Sequence, residues 1–189
     1  MGLDALGLNL NALPKIAGTC KGRALVCGSA RCLWDDLEKV SNEADVICVN
    51  GAGMHFPRAF AHWYSDHFEN AIHWRGIRKG MGYDGHPVFH SSSEGPLVDC
   101  IWPWPRNGSS SLGAVFTGLA LGYEEITICG VPLDDSGHFY DAPEKTTNFT
   151  NEVPEKAGFP RYWQNAARDV FEGRVKAVSG RLVDLLGSY

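Results

Sequence analysis

Apolar residues come in short blocks along the chain, and small or polar residues follow almost every block. The blocks at 24–27, 46–49, 61–64, 87–90, 126–129 and 175–178 are largely continuous rather than alternating. Continuous apolar runs of that length fit strands covered on both faces. Stretches with helical spacing lie between them, at 33–41, 68–79, 111–123, 162–171 and 181–186. This alternation predicts an α/β fold, a single Rossmann-like domain whose mostly parallel sheet is covered by helices on both faces and wound by right-handed crossovers. Residues 1–20 read as an N-terminal extension. Residues 94–110 and 134–160, rich in proline, glycine and polar side chains, read as loops. The second is long enough to form a lid that closes over a ligand.

In such sheets the ligand sits beyond the carboxyl ends of the strands. The residues at those ends are Gly28-Ser29, Asn50-Gly51, Ser65-Asp66, Ser91-Ser92-Ser93, the run Gly130 to Asp135, and Ser179-Gly180. They are small or polar at all six ends, which points to a nucleotide touching Gly28, Ser29 and Asn50. A bulky side chain at Gly28 is expected to block that approach while sparing the fold. The turn at Gly28 opens a helix whose free N–H groups could receive an anion. Ser109-Ser110-Ser111 precedes another helix and offers hydroxyls and unpaired N–H groups, with Ser111 suited to an N-cap. The GxGxxG spacing is incomplete, and no GKS or GKT marks a Walker A loop.

Composition narrows the classes. The 189 residues carry a net charge of −5. That disfavours a broad nucleic-acid footprint. No apolar run approaches the ~20 residues of a membrane span. The first residues lack the order of a signal peptide, so a cytoplasmic location is expected. The six cysteines include no CxxC pair, and Cys27, Cys48 and Cys129 fall in expected strands. They read as reduced core residues. Pro87 between His86 and His90 argues against a helical zinc site, and the 134–141 run, DDSGHFYD, matches no standard calcium loop. No metal ligands are assigned. Asp66-His67 at a strand end is a candidate proton-transfer pair.

The run LGAVFTGLALGYEEITICGVPLDDSGHFYDAP at 112–143 is similar to a stretch of small bacterial sialyltransferases of lipooligosaccharide synthesis. The shared order is a serine-started helix ending in ALGY-x-EI, a strand, a glycine and a G-x-x-Y loop. The opening KGRALVCGSARCLWDDL resembles the start shared by those enzymes and the 6-hydroxymethylpterin diphosphokinase-like superfamily. DVICVN, AHWYSDHFE and RVKAVSGRLVDLLG resemble further segments in the same order, so most of 21–187 is covered.

The resemblance implies a glycosyltransferase-like enzyme that takes a sugar from a nucleotide-activated donor, a CMP-linked sugar being the family's form. Gly28 and Ser29 would cradle the phosphate side, Asn50 the donor sugar or base, and Ser110 and Ser111 a phosphate or carboxylate. Ser179 would close the last strand end of the site. Tyr140 would donate to the leaving phosphate. Departures are plain. Ala30 and Arg31-Cys32 replace the family's second glycine and proline, and Pro132 replaces an acidic residue. No histidine lies between Phe139 and Tyr189, where those enzymes place their base. His138 is the nearest substitute, with Asp66 next in line. Arg31 could meet a phosphate. The pterin branch implies instead diphosphate transfer from ATP with Mg²⁺ on Asp66, Asp134 or Asp135. A catalytically silent nucleotide-binding module is the third reading. The acceptor is unassigned, oligomerisation is left open, and the small size suits a soluble, phage-encoded enzyme by analogy.

Overall fold

The computed structural model describes residues 6–7, 13–41, 43–83, 85–105, 109–145 and 158–189. Seven parallel strands form one sheet: β1 (Arg23–Cys27), β2 (Asp45–Val49), β3 (His62–Tyr64), β4 (Val88–Ser91), β5 (Cys100–Ile101), β6 (Glu125–Cys129) and β7 (Val175–Ala177). Their spatial order is β5-β4-β3-β2-β1-β6-β7. The chain therefore builds outward from β1 to β5, then crosses to the other side of β1 to lay down β6 and β7. The reversal lies between β1 and β6, paired from Arg23 opposite Glu125 to Cys27 opposite Cys129. This is the topological switch point, where the two strand ends diverge and leave a crevice.

Side chains alternate between two buried layers, as the two-residue strand period requires. Ala24, Val26, Ile47, Val49, Tyr64, Ile126 and Ile128 pack on one face beneath α4 (Ser110–Leu121), α5 (Phe159–Asp169) and α6 (Arg181–Leu186). Leu25, Cys27, Val46, Cys48, Trp63, Phe89 and Cys129 pack on the other, beneath α1 (Leu33–Leu37), α2 (Ala52–His55) and α3 (Ala71–Gly80). The expected doubly covered sheet is thus present. All six cysteines are unpaired, and Cys27, Cys48 and Cys129 are fully buried.

Two elements differ from the sequence expectation. α2 is a single short turn in a glycine-containing stretch with no helical period. β5 falls inside the stretch read as the loop 94–110, because its two residues form only the sheet edge. Its neighbours Trp102 and Trp104 are buried and stacked at 5.4 Å, closing the apolar face beside α4. Hydrophobicity, not chain flexibility, sets that segment.

A polar chain crosses the same layer. The Trp102 indole donates to His90 Nδ1 at 2.9 Å, and His90 Nε2 lies 3.0 Å from His62 Nδ1. An indole only donates, so His90 carries its proton on Nε2 and passes the donor role to His62. Both rings are held neutral. Burial, then the neighbouring His62, pushes His90 down to about 3, and burial lowers His62. In the unfolded chain such a ring takes its proton near pH ~6.5. Between that pH and about 3 the unfolded state binds more protons. Stability is therefore full above pH ~6.5 and falls as pH drops through this window, by up to ~1.4 kcal/mol per pH unit for this ring. Urea unfolding at pH 7.5 and 5 measures the loss, and His90→Gln should shrink it. An equal loss in the variant would mean that other groups control acid sensitivity.

Candidate functional site

At the switch point the ends of β1 and β6 approach so closely that neither turn tolerates a side chain facing the other. A Cβ at Gly28 would collide with the Gly130 carbonyl oxygen. The expectation that a large residue at Gly28 blocks ligand and spares the fold is therefore overturned: the substitution would force the two strand ends apart. Gly130 is itself left-handed, with φ of 67°, a conformation glycine adopts without strain.

The crevice beyond these turns is lined by Gly28 and Ser29 from β1, Asn50 from β2, Ser109 to Ser111 from α4, Gly130 to Asp134 from β6, and Ser136 to His138 from the following loop. Its cavity volume is about 90 Å³, and the empty space is about 530 Å³ when the open solvent at its mouth is counted. Six of the nine sequence candidates meet here: Gly28, Ser29, Asn50, Ser110, Ser111 and His138. Its described lining includes the Asp134 carboxylate and the His138 ring but no Lys or Arg.

The donors are unevenly distributed. The N–H groups of Gly28 and Ala30 go to the Cys129 and Gly130 carbonyls, and that of Leu33 goes to Ala30. The start of α1 is thus spent on the sheet and on its own turn, contrary to its expected role as an anion receptor. It also carries Asp35 and Asp36 in its first turn. α4 differs. Its N-cap is Ser109, whose side chain accepts from the Leu112 N–H, so capping does not use the Ser111 hydroxyl. Ser110 is buried and its Oγ accepts from the Asp66 N–H at 3.3 Å. Ser109, Ser110 and Ser111, at the start of this 12-residue helix, line the crevice, where the helix dipole favours an anion.

Asn50 adopts a left-handed backbone, φ 48°, which asparagine tolerates better than most residues. Its backbone carbonyl accepts from the Trp63 indole at 2.8 Å, and its amide oxygen accepts from Ser65 Oγ at 2.6 Å. Ser65 Oγ in turn accepts from the His67 N–H. The fixed oxygen leaves the amide N–H₂ as the outward-facing donor. Sequence reading missed Ser65 as the residue that sets this orientation, since nothing along the chain links positions 50 and 65.

Three candidates lie outside the crevice wall. Asp66 accepts from the hydroxyls of Tyr64 at 2.9 Å and Ser92 at 2.6 Å. Ser179 donates to the buried Asp36 carboxylate at 2.7 Å, behind the β6 turn, where Asp36 also takes the Gly130 N–H. Tyr140 stands beside the wall, its hydroxyl against Gly51. Burial pushes this phenol up, Ser29 opposing, so it stays a donor at neutral pH. Among the described residues, no group of three or more His, Cys, Asp or Glu side chains is placed to hold a metal ion.

Residues 134–145 strap across the crevice, and the remainder of the expected lid, 146–157, lies outside the described residues. The strap is tied at several points. Ala30 bridges His138, and the Phe139 N–H donates to Ser29. Phe139 packs edge-on to Trp34 and His55. Arg31 does not face the crevice. Its guanidinium donates to the carbonyls of Ser136 and Ala142, both at 2.6 Å, and of Lys145 at 3.3 Å.

The sequence matches no protein-family model and no curated protein. Among solved structures, the fold is similar to that of the sialyltransferase CstII from Campylobacter jejuni, determined in complex with a substrate analogue, cytidine-5'-monophosphate. The match has a TM-score of 0.58 over 88% of this chain and 84% of that one, at 12% sequence identity. The likeness is one of fold.

Because one planar guanidinium holds three strap carbonyls, Arg31→Ala should loosen residues 134–145. Arg31→Lys should fail to restore them, since an ammonium lacks the fork that spans separate acceptors. Amide hydrogen exchange over the strap reads this directly. Unchanged protection in Arg31→Ala would show that the Ala30–His138 bridge and Phe139 suffice.

Proposed function

We propose that the chain is a glycosyltransferase-like enzyme that binds a nucleotide-linked sugar in the crevice between β1 and β6 and passes the sugar to an acceptor hydroxyl. The observation that carries this reading is the set of groups at the switch point: the start of α4, with Ser110 and Ser111, and the Gly28-Ser29 turn line one crevice. The fold's likeness to a sialyltransferase solved with CMP supports a CMP-linked donor. So does a lining that, among the described residues, holds no lysine or arginine, which suits one phosphate better than a more highly charged diphosphate.

In this reading the phosphate lies at the start of α4, against Ser110 and Ser111. The nucleoside and sugar fill the open mouth, within reach of the Asn50 amide. The acceptor oxygen attacks the anomeric carbon as the bond to the nucleotide phosphate breaks. His138, on the strap, takes the acceptor's proton. Charge then gathers on the departing phosphate, where the helix dipole and hydroxyls are already oriented. Tyr140 backs the wall at Gly51 and stacks on the His138 ring. Asp66 and Ser179 support the turns rather than contact the donor.

A thermal-shift panel of CMP, UDP, GDP and ATP, each with and without Mg²⁺, tests the donor class. CMP should stabilise without Mg²⁺, and ~100 Kd of ligand adds ~2.7 kcal/mol. Ser111→Ala should weaken CMP by roughly 10- to 100-fold, the loss of a hydrogen bond to a charged group at ~1.5–3 kcal/mol. His138→Ala should keep CMP affinity and lose ~10²–10⁴-fold in kcat. Stabilisation by ATP only with Mg²⁺ would favour diphosphate transfer. Tight CMP binding with no transfer from any CMP-linked sugar would favour a silent module.

A further inference from the structure

We infer that Asp141 is the positioning residue of His138, fixing the imidazole in the tautomer that presents an unprotonated Nε2 to the crevice. This deepens the reading of His138 as the base, and its test does not depend on that reading.

His138 Nδ1 lies 2.8 Å from Asp141 Oδ2. A carboxylate only accepts, so the proton of the neutral ring sits on Nδ1 and the lone pair on Nε2. The carboxylate is ionised for reasons of its own. Its other oxygen accepts from Lys145 Nζ at 2.8 Å, and the Lys145 hydrogen bond, opposed by burial and joined by the His138 hydrogen bond, holds Asp141 below the usual carboxylate range. The Asp141 side chain is 11% exposed, so water competes weakly for it. Geometry supplies the rest. The Asp141 N–H donates back to the His138 carbonyl, and this turn returns the carboxylate to the ring three residues earlier. The imidazole stacks on Tyr140 at 5.1 Å and 5°, and Tyr140 stacks on His55 at 5.4 Å. The ring is therefore fixed in position, in plane and in tautomer.

The strap of His138 itself carries Asp134, Asp135, Asp141, Glu144 and Lys145. The β1 turn brings Arg31, whose guanidinium is occupied by strap carbonyls. α2 brings His55, on the far side of Tyr140. Asp141 is the carboxylate that bonds the ring.

The test is ¹⁵N NMR of the histidine side chains in the full chain, with His138→Gln used to assign the signal. The parent should show a neutral Nδ1–H tautomer. In Asp141→Asn the new amide can donate to Nδ1, so the ring should switch to Nε2–H. Asp141→Glu should restore the parent tautomer in part and guards against a variant that unfolds. An Nε2–H tautomer in the parent, or no change in a folded Asp141→Asn, overturns the proposal. Activity separates the two readings. If His138→Ala keeps full kcat while the tautomer depends on Asp141, the base assignment fails and the positioning stands.

Discussion

The constraint on which the site depends is the close approach of two backbones, at Gly28 and Gly130, where β1 and β6 end side by side. The N–H groups of Gly28 and Ala30 bind the β6 carbonyls, so the two turns are one hydrogen-bonded unit. Asp36 secures it from behind by taking the Gly130 N–H at 2.9 Å and the Ser179 hydroxyl at 2.7 Å. Asp36 is fully buried, and both bonds fall on its Oδ2, while its Oδ1 has no hydrogen bond among the described residues and lies 3.8 Å from Lys39 Nζ. Everything that faces a ligand is hung from this junction: the start of α4 above it, Asn50 to one side, and the strap across it.

The strap turns a binding crevice into a candidate reaction site. Its first residues continue from β6, so His138 is carried to the rim by the same turn that forms the floor. Arg31 ties the strap's carbonyls and Phe139 anchors it among aromatic rings. The cation that might have been sought on a phosphate serves to shape the wall. Among the described residues, what lines the crevice to receive an anion is a helix start and serines, with no Lys or Arg, and a helix start stabilises charge by orientation.

Much of the frame was legible along the chain. The continuous apolar runs mark six of the seven strands because buried parallel strands need no polar face, and small residues at strand ends mark the crevice because backbones meet there. β5 and α2 were not legible. A two-residue edge strand has no period, and the buried pair Trp102 and Trp104 sits among prolines that read as loop. Within the site, Ser111 was read as suited to a cap as well as to a ligand, whereas Ser109 is the cap. Partnerships across the fold were invisible: Ser65 with Asn50, Arg31 with the strap and Asp36 with Gly130 join residues 15 to 114 positions apart. The His138–Asp141 pair was within reach of the sequence, since HFYD places both in one turn, but the direction of the carboxylate needed the fold.

The most direct measurement is an amide chemical-shift map of the ¹⁵N-labelled chain titrated with CMP. The account predicts saturable shifts at Gly28, Ser29, Asn50, Ser110, Ser111 and Gly130, around the junction of β1, β6 and α4. Shifts confined to another part of the surface, or none at millimolar CMP, would contradict it.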